Sequence, residues 1–287
     1  MSKRFAQYVI GVGLAALFAL SNPAVAQNDK GKAPANRKKS VPLPQGGPAP
    51  RLADGRPDFS GVWFAGTTGG QSPDAAGRRQ FDPKVTPEER PSFQPWAAAK
   101  IKAMSATDLE LGRASVNCLP RGVPGVILLN PYPFQLVSTL GQLVQLDELN
   151  NNFRVIPTDG RAHDPDPDPT FHGDEVGHWE GDTLVVDTIS IDERTWNDFI
   201  GWFHSDQEHV IERFSRPDSN HLYVQVTIED PKVLTKPWTS APRVWTLGHE
   251  KLMEYYCTNN QDVEQYKALK EKESAAKPAG FQTGDRK

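Results

Sequence analysis

Alternation of apolar and polar residues marks the second half of the chain. Within residues 221–230, every second residue from Leu222 to Ile228 is apolar, and the residues between them are polar or aromatic. A period of two residues is the pattern of a strand with one buried face. Residues 209–216 contain the β-branched and aromatic residues that strands favour, and the turn-forming residues 217–220 follow them. The pattern therefore predicts an antiparallel strand pair.

A second hairpin is predicted around three consecutive asparagines, residues 150–152. The segment before them alternates as well and places Glu148 on the same face as Leu146. A three-residue loop would pair Leu146 with Ile156 and Glu148 with Arg154. The sequence therefore predicts that Glu148 and Arg154 are neighbours on an otherwise apolar face.

The remaining pattern predicts the fold class. Residues 95–111 favour a helical insertion, with Pro95 at its first position. Short strands separated by tight turns, as at residues 179–183, predict a mainly β fold, either an antiparallel barrel or a sandwich, with a few peripheral helices. We take one β-barrel domain to span residues 51–260, and a C-terminal helix and tail to occupy residues 261–287.

The N-terminus has the three parts of a secretory signal peptide. Lys3 and Arg4 form a charged region, residues 9–20 are apolar, and residues 24–26 read Ala-Val-Ala, a cleavage site. The alternative is a membrane anchor, but the apolar run is shorter than the roughly 20 residues that a span needs. We therefore predict that residues 1–26 are removed and that the protein is periplasmic or secreted, with no membrane span.

The amino-acid composition limits the kinds of molecule that the protein is expected to bind. The chain of 287 residues has a formal net charge of −4, which disfavours nucleic acid because neutralising phosphate supplies most of that affinity. Residues 27–50 are basic and rich in proline and glycine, and they predict an extended or disordered tether. A small-molecule ligand is the partner that remains.

The two cysteines, Cys118 and Cys257, leave two possibilities open. An oxidising compartment permits a disulfide that would tie the start of the folded domain to its end. Two isolated buried thiols are the alternative, because sequence alone does not show whether the Cα atoms lie within bonding reach.

Two resemblances support this organisation. Residues 59–63 (FSGVW) resemble the Gly-x-Trp opening of lipocalin-like (calycin-type) barrels. Six strings resemble a widespread group of signal-bearing proteins from Gram-negative bacteria: ADGRPDFSGVW, CLPRGVP, TDGRAHDPDPDPT, WEGDTLVVDT, HSDQEHVIERF and TIEDPKVLTKPW. This resemblance implies the domain organisation and assigns no reaction. Aromatic residues expected near residues 147–149 are replaced here by Asp147 and Leu149, which implies a different ligand if they line a pocket.

The first candidate site lies in residues 204–213, which hold two histidines and several carboxylates. His204 and His209 are candidates for a general base near neutral pH, with Glu212 as the acid or orienting partner. His204, His209 and Glu212 are also a possible set of ligands for a divalent metal, although their spacing matches no standard metal motif. A polar loop that leads into a strand is the alternative without function.

Carboxylates on apolar faces form the second candidate set: Glu148, Asp187, Glu212 and Glu254. An inward carboxylate costs several kcal/mol unless it is paired or hydrogen-bonded. The set predicts a polar cavity in the barrel, in which Arg154 and Arg213 would hold an anionic or phenolic group and Asp187 would contact the substrate. Structural ion pairs are the alternative.

Two loops complete the candidates. Residues 192–206 are too aromatic for a plain solvent-exposed connection, so Trp196 and Trp202 could gate a barrel mouth and stack on a ligand, or could plug it as core. Residues 163–170 (HDPDPDPT) alternate aspartate with proline, which favours a rigid loop over a Ca²⁺ site.

These residues suggest a periplasmic, cofactor-independent lyase or hydrolase that uses His/Glu acid–base chemistry on a small aromatic or apolar molecule. No nucleotide-binding motif or standard hydrolase motif supports another enzyme class. A non-catalytic lipocalin-like carrier of hydrophobic ligands is the alternative, and a structural protein of the envelope is a third possibility. The enzyme hypothesis predicts that His209→Ala abolishes turnover without affecting folding.

Overall fold

The computed structural model of the chain describes residues 46–65, 89–257 and 261–276. The predicted signal peptide (1–26), most of the tether (27–50) and the C-terminal tail lie outside the described residues. Ten strands are present: β1 Gly61–Phe64, β2 Phe134–Ser138, β3 Gln142–Asp147, β4 Asn152–Pro157, β5 Asp174–Glu180, β6 Thr183–Ile189, β7 His209–Ser215, β8 His221–Glu229, β9 Trp238–Thr239 and β10 Arg243–Gly248. Four helices accompany them: α1 Pro95–Ala103, α2 Ala106–Leu111, α3 Gly125–Leu128 and α4 Gln261–Ala276.

All ten strands belong to one antiparallel sheet. Its order is β4-β3-β2-β1-β10-β8-β7-β6-β5, and β9 pairs with β8. The mainly β prediction with a few helices is confirmed. The sheet is not closed, because β4 and β5 form its two ends without a shared ladder in the described part of the chain.

The two end strands nevertheless come close to each other. The N–H of Gly160, just after β4, donates to the carbonyl of Gly177 in β5 at 3.0 Å. A Cβ at Gly177 would lie 2.9 Å from the Pro157 carbonyl oxygen, so the approach requires a residue without a side chain. The ends of the sheet thus face each other across a short gap.

The predicted β7–β8 pair is confirmed, and its apolar face is part of the core. Leu222, Val224, Val226 and Ile228 are completely buried. Around them lies an aromatic core in which Trp245 packs edge-on against Phe134, with ring centroids 4.6 Å apart. Alternation predicted this face correctly because one side of the sheet is covered throughout.

The predicted register of the β3–β4 hairpin is wrong by three residues. Leu146 pairs with Phe153, not with Ile156, and Arg154 lies opposite Gln145. The strand ends at Asp147, and the turn that follows includes Asn150 and Asn151 in the left-handed region. An odd shift exchanges the two faces of a strand.

Several apolar side chains lie on the exposed outer face of β2–β4. Val137, Leu146, Val155 and Phe153 are exposed, and Phe153 is 62% exposed. Glu148 comes after the last residue of β3, Asp147, and is not a cross-strand neighbour of Arg154.

The predicted helical insertion is two helices rather than one. Residue Ser105 caps α2: its hydroxyl accepts from the Asp108 N–H at 3.1 Å, and the Asp108 carboxylate accepts from the Ser105 N–H at 2.9 Å. This reciprocal pair favours a new helix start and interrupts the helical segment. The predicted C-terminal helix is confirmed as α4, where Glu273 accepts a hydrogen bond from Thr107 of α2 at 2.7 Å.

Cys118 and Cys257 are joined in a disulfide, with their Cα atoms 5.4 Å apart. Of the two possibilities that the sequence left open, the bridge is the one present. It ties the loop before α3 to the segment after β10. No helix among the described residues is long and apolar enough to cross a bilayer.

Candidate functional site

The interior of the sheet is occupied by a buried ion-pair cluster centred on Arg154 of β4. Its guanidinium donates to Glu175 of β5 at 2.9 Å and also binds Glu212 of β7, and both carboxylates are buried. It donates to the Gln145 side chain at 3.2 Å as well. Burial alone would lower the pKa of Arg154, but the two carboxylates outweigh it and raise that pKa. The charges of Arg154 and Glu212 therefore compensate each other within the protein. This favours the alternative of structural ion pairs over contact with a substrate.

Near this cluster, two side chains have buried polar atoms without hydrogen-bond partners. Asp147 is buried, and its Oδ1 accepts from Gln145 at 2.9 Å, while its Oδ2 has no hydrogen-bond partner. Burial raises the pKa of Asp147 to about 7. Neither ring nitrogen of His172 has a partner, and burial lowers the pKa of this imidazole to about 3. The candidate residues predicted from sequence include neither of them: Asp147 is noted only as the replacement of an expected aromatic residue, and the predicted register places it on the outer face.

The raised pKa of Asp147 predicts a pH dependence that Asp147→Asn removes. At a pH below 3.8, the usual pKa of an aspartate, the Asp147 carboxyl is protonated in both the folded and the unfolded chain. As the pH rises towards 7, the unfolded chain releases a proton that the folded chain retains, so this contribution to stability is lost. Relative to Asp147→Asn, the unaltered protein should lose up to about 1.4 kcal/mol per pH unit in that window. Urea unfolding of both proteins at pH 4 to 8 measures this, and a constant difference would contradict it.

Asp187 and His209 lie on the outer face of the sheet, not in the interior. Asp187 Oδ2 is 2.8 Å from His209 Nε2, and Asp187 Oδ1 is 2.8 Å from His163 Nε2. The other ring nitrogens lie 2.7 Å from Asp174 and 3.2 Å from Glu229. Hydrogen bonding to Asp187 raises the pKa of His209. The prediction of an inward Asp187 is wrong, and His209 belongs to a row of alternating imidazole and carboxylate groups in hydrogen-bond contact on the outer face.

Arg213 also lies on the outer face. It pairs with Glu180 at 2.6 Å, and both side chains are more than a third exposed. The prediction that Arg213 lines an interior cavity is therefore wrong, because odd-numbered residues of β7 point away from the core. Glu254 is exposed as well, in a segment without strand structure.

His204 is a buried residue of the aromatic loop, residues 192–206. Its Nε2 lies 3.2 Å from the Thr195 hydroxyl, and its Nδ1 lies 3.1 Å from the Ser205 carbonyl oxygen. Glu208 approaches the ring to 3.9 Å and accepts from Asn197 at 2.5 Å. Burial raises the pKa of Glu208 to about 7. Both ring nitrogens of His204 are engaged with loop groups.

The structure separates the three residues considered as metal ligands. His204 is buried within the aromatic loop, His209 is on the outer face of the sheet and Glu212 is on its buried face. No group of three histidine, cysteine, aspartate or glutamate residues within the described ranges is placed to hold a metal ion. In residues 163–170 the three aspartates, Asp164, Asp166 and Asp168, are exposed.

Of the two predicted gating tryptophans, Trp202 belongs to the core. It is 1% exposed, and its ring packs edge-on against Trp238 at 5.1 Å and Phe93 at 5.7 Å. Trp196 is half-buried and packs so tightly on α2 that a Cβ at Gly112 would lie 2.0 Å from its ring. Trp202 therefore plugs this end of the sheet, as the alternative interpretation had it.

A pocket of about 350 Å³ lies beside the aromatic loop, and we call it the loop pocket. Its lining among the described residues is Glu89, Arg90, Pro91, Phe93, Asp198, Ile200 and Trp238. This volume is within the range of small-molecule sites. The walls are largely apolar and aromatic, as expected for a pocket that takes an apolar ligand.

Asp198 is the buried titratable group of the loop pocket. Its Oδ1 accepts from the N–H groups of Ile200 and Trp202, each at 2.8 Å. Burial raises the pKa of Asp198 to about 6, although these backbone bonds oppose the shift. The prediction from sequence singled out this loop for its tryptophans and missed its aspartate. An aspartate that accepts a hydrogen bond from the backbone N–H two residues later is typical of an Asx turn. The position of Asp198 before Ile200 and Gly201 in the sequence is the signal that could have identified it.

Glu148 lies directly after the last residue of β3. It is buried, and its Oε2 accepts from the Met253 N–H at 2.9 Å. The four residues predicted as catalytic thus occupy four separate environments.

Comparison of the chain with models of known protein families, with curated proteins and with solved structures found no match. The geometry of the loop pocket is consequently the basis for a functional proposal.

Proposed function

We propose that the protein is a cofactor-independent acid–base enzyme, a lyase or hydrolase, that acts on a small aromatic or apolar molecule in the loop pocket. The observation that carries the proposal is the Asp198 carboxyl, buried at an apolar pocket of about 350 Å³ with its pKa raised to about 6. A carboxyl with a pKa near the working pH, in a pocket of ligand size, is a candidate for proton transfer.

Asp198 takes the role that the sequence prediction gave to His204, His209, Glu212 and Glu148. The N–H groups of Ile200 and Trp202 both donate to its Oδ1, which fixes the position of the carboxyl in the loop. Above a pH of about 6 the carboxylate acts as a general base. The rings of Phe93 and Trp238 provide the surface against which an apolar substrate packs.

The compartment and the finer architecture belong to the same proposal. The signal-peptide pattern of residues 1–26 supports export to the periplasm. A lipocalin-like barrel is supported by the close approach of the two end strands, where Gly160 bonds to Gly177 at 3.0 Å. The strings shared with signal-bearing Gram-negative proteins agree with this organisation.

The test compares the mature protein with Asp198→Asn and with Asp206→Asn. Asparagine keeps the Oδ1 acceptor for the loop N–H groups but does not ionise, so the loop should keep its conformation. Asp206 is an exposed carboxylate nearby, paired with Lys232 at 2.5 Å, and serves as the matched control. Each protein is incubated with libraries of aromatic compounds and esters, and products are analysed by mass spectrometry.

We expect turnover by the unaltered protein and by Asp206→Asn, and a loss of about 10²- to 10⁴-fold in Asp198→Asn. The kcat/KM of the unaltered protein should rise with pH up to about 6 and then level off. Full activity of a correctly folded Asp198→Asn would overturn the proposal, as would the absence of any product.

The second candidate function is a carrier of hydrophobic ligands. The apolar character of the loop pocket, with Phe93, Ile200 and Trp238 in its wall, favours this alternative. A carrier would bind aromatic compounds with equal affinity in the unaltered protein and in Asp198→Asn, and it would release them unchanged.

A further inference from the structure

An arginine without a carboxylate partner lines a small cavity together with Asp198. Arg121, in the loop that precedes α3, is half-buried, and its Nε is buried without a hydrogen-bond partner. No carboxylate of the described residues forms a salt bridge with it. Burial lowers the pKa of Arg121, which is the direction expected for a cation with no facing anion.

A second arginine, Arg113, lines the same small cavity as Arg121. Arg113 pairs with Glu110 through Nη1 at 2.9 Å, but its Nε is also buried without a partner. Both guanidinium groups lie over the ring of Phe199, with Cζ 5.7 Å and 5.4 Å from the ring centroid. Both arginines also line one small cavity, and two cations with unused buried donors at the same cavity favour an anion there.

Small cavities flank Arg121 on two sides. One, of about 10 Å³, is lined by Arg113, Ala114, Ser115, Arg121, Leu129, Trp196, Asp198 and Phe199. The other, also about 10 Å³, includes Asn130 and Asp147 in its lining. Each cavity has room for roughly one water-sized group. An oxygen of a ligand fits there, and the body of the ligand must lie outside, against Trp196 and Phe199.

We propose that Arg121, assisted by Arg113, binds the carboxylate of a small aromatic or apolar carboxylic acid. A guanidinium edge matches a planar carboxylate in a bidentate manner, and the neighbouring rings suit an apolar body. Asp147 and Asp198 nearby disfavour a doubly charged anion such as phosphate. This inference goes beyond the proposed function and does not depend on it, and it transfers the anion-binding role predicted for Arg154 and Arg213 to Arg121.

The experiment measures binding of benzoate to the mature protein by isothermal titration calorimetry. Benzamide serves as the neutral analogue, and sodium chloride and sodium sulfate serve as inorganic anions. The variants are Arg121→Met, Arg121→Lys, Asp198→Asn and Arg213→Met. Arg213 is the matched control, because it is an exposed arginine paired with Glu180 on the outer face.

We expect benzoate to bind the unaltered protein and Arg213→Met equally, and to bind Arg121→Met at least 10-fold more weakly. Arg121→Lys should retain part of the affinity, and benzamide should bind at least 10-fold more weakly than benzoate. Since Arg121 forms no salt bridge, Arg121→Met should have an unchanged or raised melting temperature, whereas a structural arginine would lower it.

Equal binding of benzoate by Arg121→Met, equal binding of benzamide, or no binding of benzoate would overturn the inference. Chloride or sulfate binding as tightly as benzoate would overturn the assignment to a carboxylate. Benzoate binding should persist in Asp198→Asn. If it depends on Arg121 while no compound is turned over, the anion site stands and the proposed enzyme fails. If Asp198 supports turnover of neutral compounds and Arg121→Met has no effect, the inference fails and the enzyme stands.

Discussion

Replacing Arg154 with methionine should lower the free energy of unfolding by about 3–5 kcal/mol. The side chain of Arg154 is completely buried and is the shared partner of Glu175 and Glu212, so its loss leaves two carboxylates facing each other inside the protein. Uncompensated buried charge is among the largest single contributions to destabilisation. Urea denaturation of the two proteins measures the difference.

The effect should depend on pH in a way that identifies its cause. Without Arg154, the two carboxylates can avoid repulsion by taking up a proton, so the variant should be less destabilised at pH 5 than at pH 8. Adding Glu175→Gln and Glu212→Gln to the variant should recover part of the loss. Arg213→Met is the matched control, and removing this exposed pair should cost less than about 1 kcal/mol. A loss for Arg154→Met as small as that of the control would contradict the buried cluster.

Reducing the Cys118–Cys257 bridge should have an effect of similar size. The bridge closes a loop with a sequence separation of 139 residues. In the chain-entropy description, a loop of this length contributes about 4–5 kcal/mol, and measured values for native disulfides are about 2–5 kcal/mol. The urea midpoint of the protein should therefore fall when a reductant is present.

The double variant Cys118→Ser/Cys257→Ser provides the control for the disulfide. The chain has only two cysteines, so this variant should match the reduced protein and should not respond to reductant. An unaltered protein with the same midpoint in both conditions would show that the bridge does not contribute to stability.

The sequence predicted the fold best where hydrophobic alternation is coupled to complete burial. The even-numbered residues of β8 are all in the core, as alternation requires. The predicted register of the β3–β4 hairpin is wrong because the length of the turn determines the register. Four residues, 148–151, connect the strands instead of the three that were predicted. The prediction of one continuous helix over residues 95–111 is wrong because the capping interaction of Ser105 with Asp108 begins a new helix.

The candidate site was harder to predict because its chemistry comes from isolated residues. His204, His209 and Glu212 are close in sequence, yet strand geometry and the loop send them to three environments. Arg121 and Asp198 lie far apart along the chain and have no motif, and they line the same small cavity only in the folded protein. The character of each group depends on burial, which one sequence does not reveal.

The strand order also determines when the protein can become complete during its synthesis. Residues 61–157 build β1–β4 and residues 174–248 build β5–β10, and the ladder between these two halves is the pairing of β1 with β10, in which Val62 meets Gly248. A chain that stops before Arg243 would leave both β1 and β8 with an unpaired edge. Such edges invite pairing between molecules. Premature termination late in translation is therefore expected to yield aggregating half-sheets rather than a shortened but working protein.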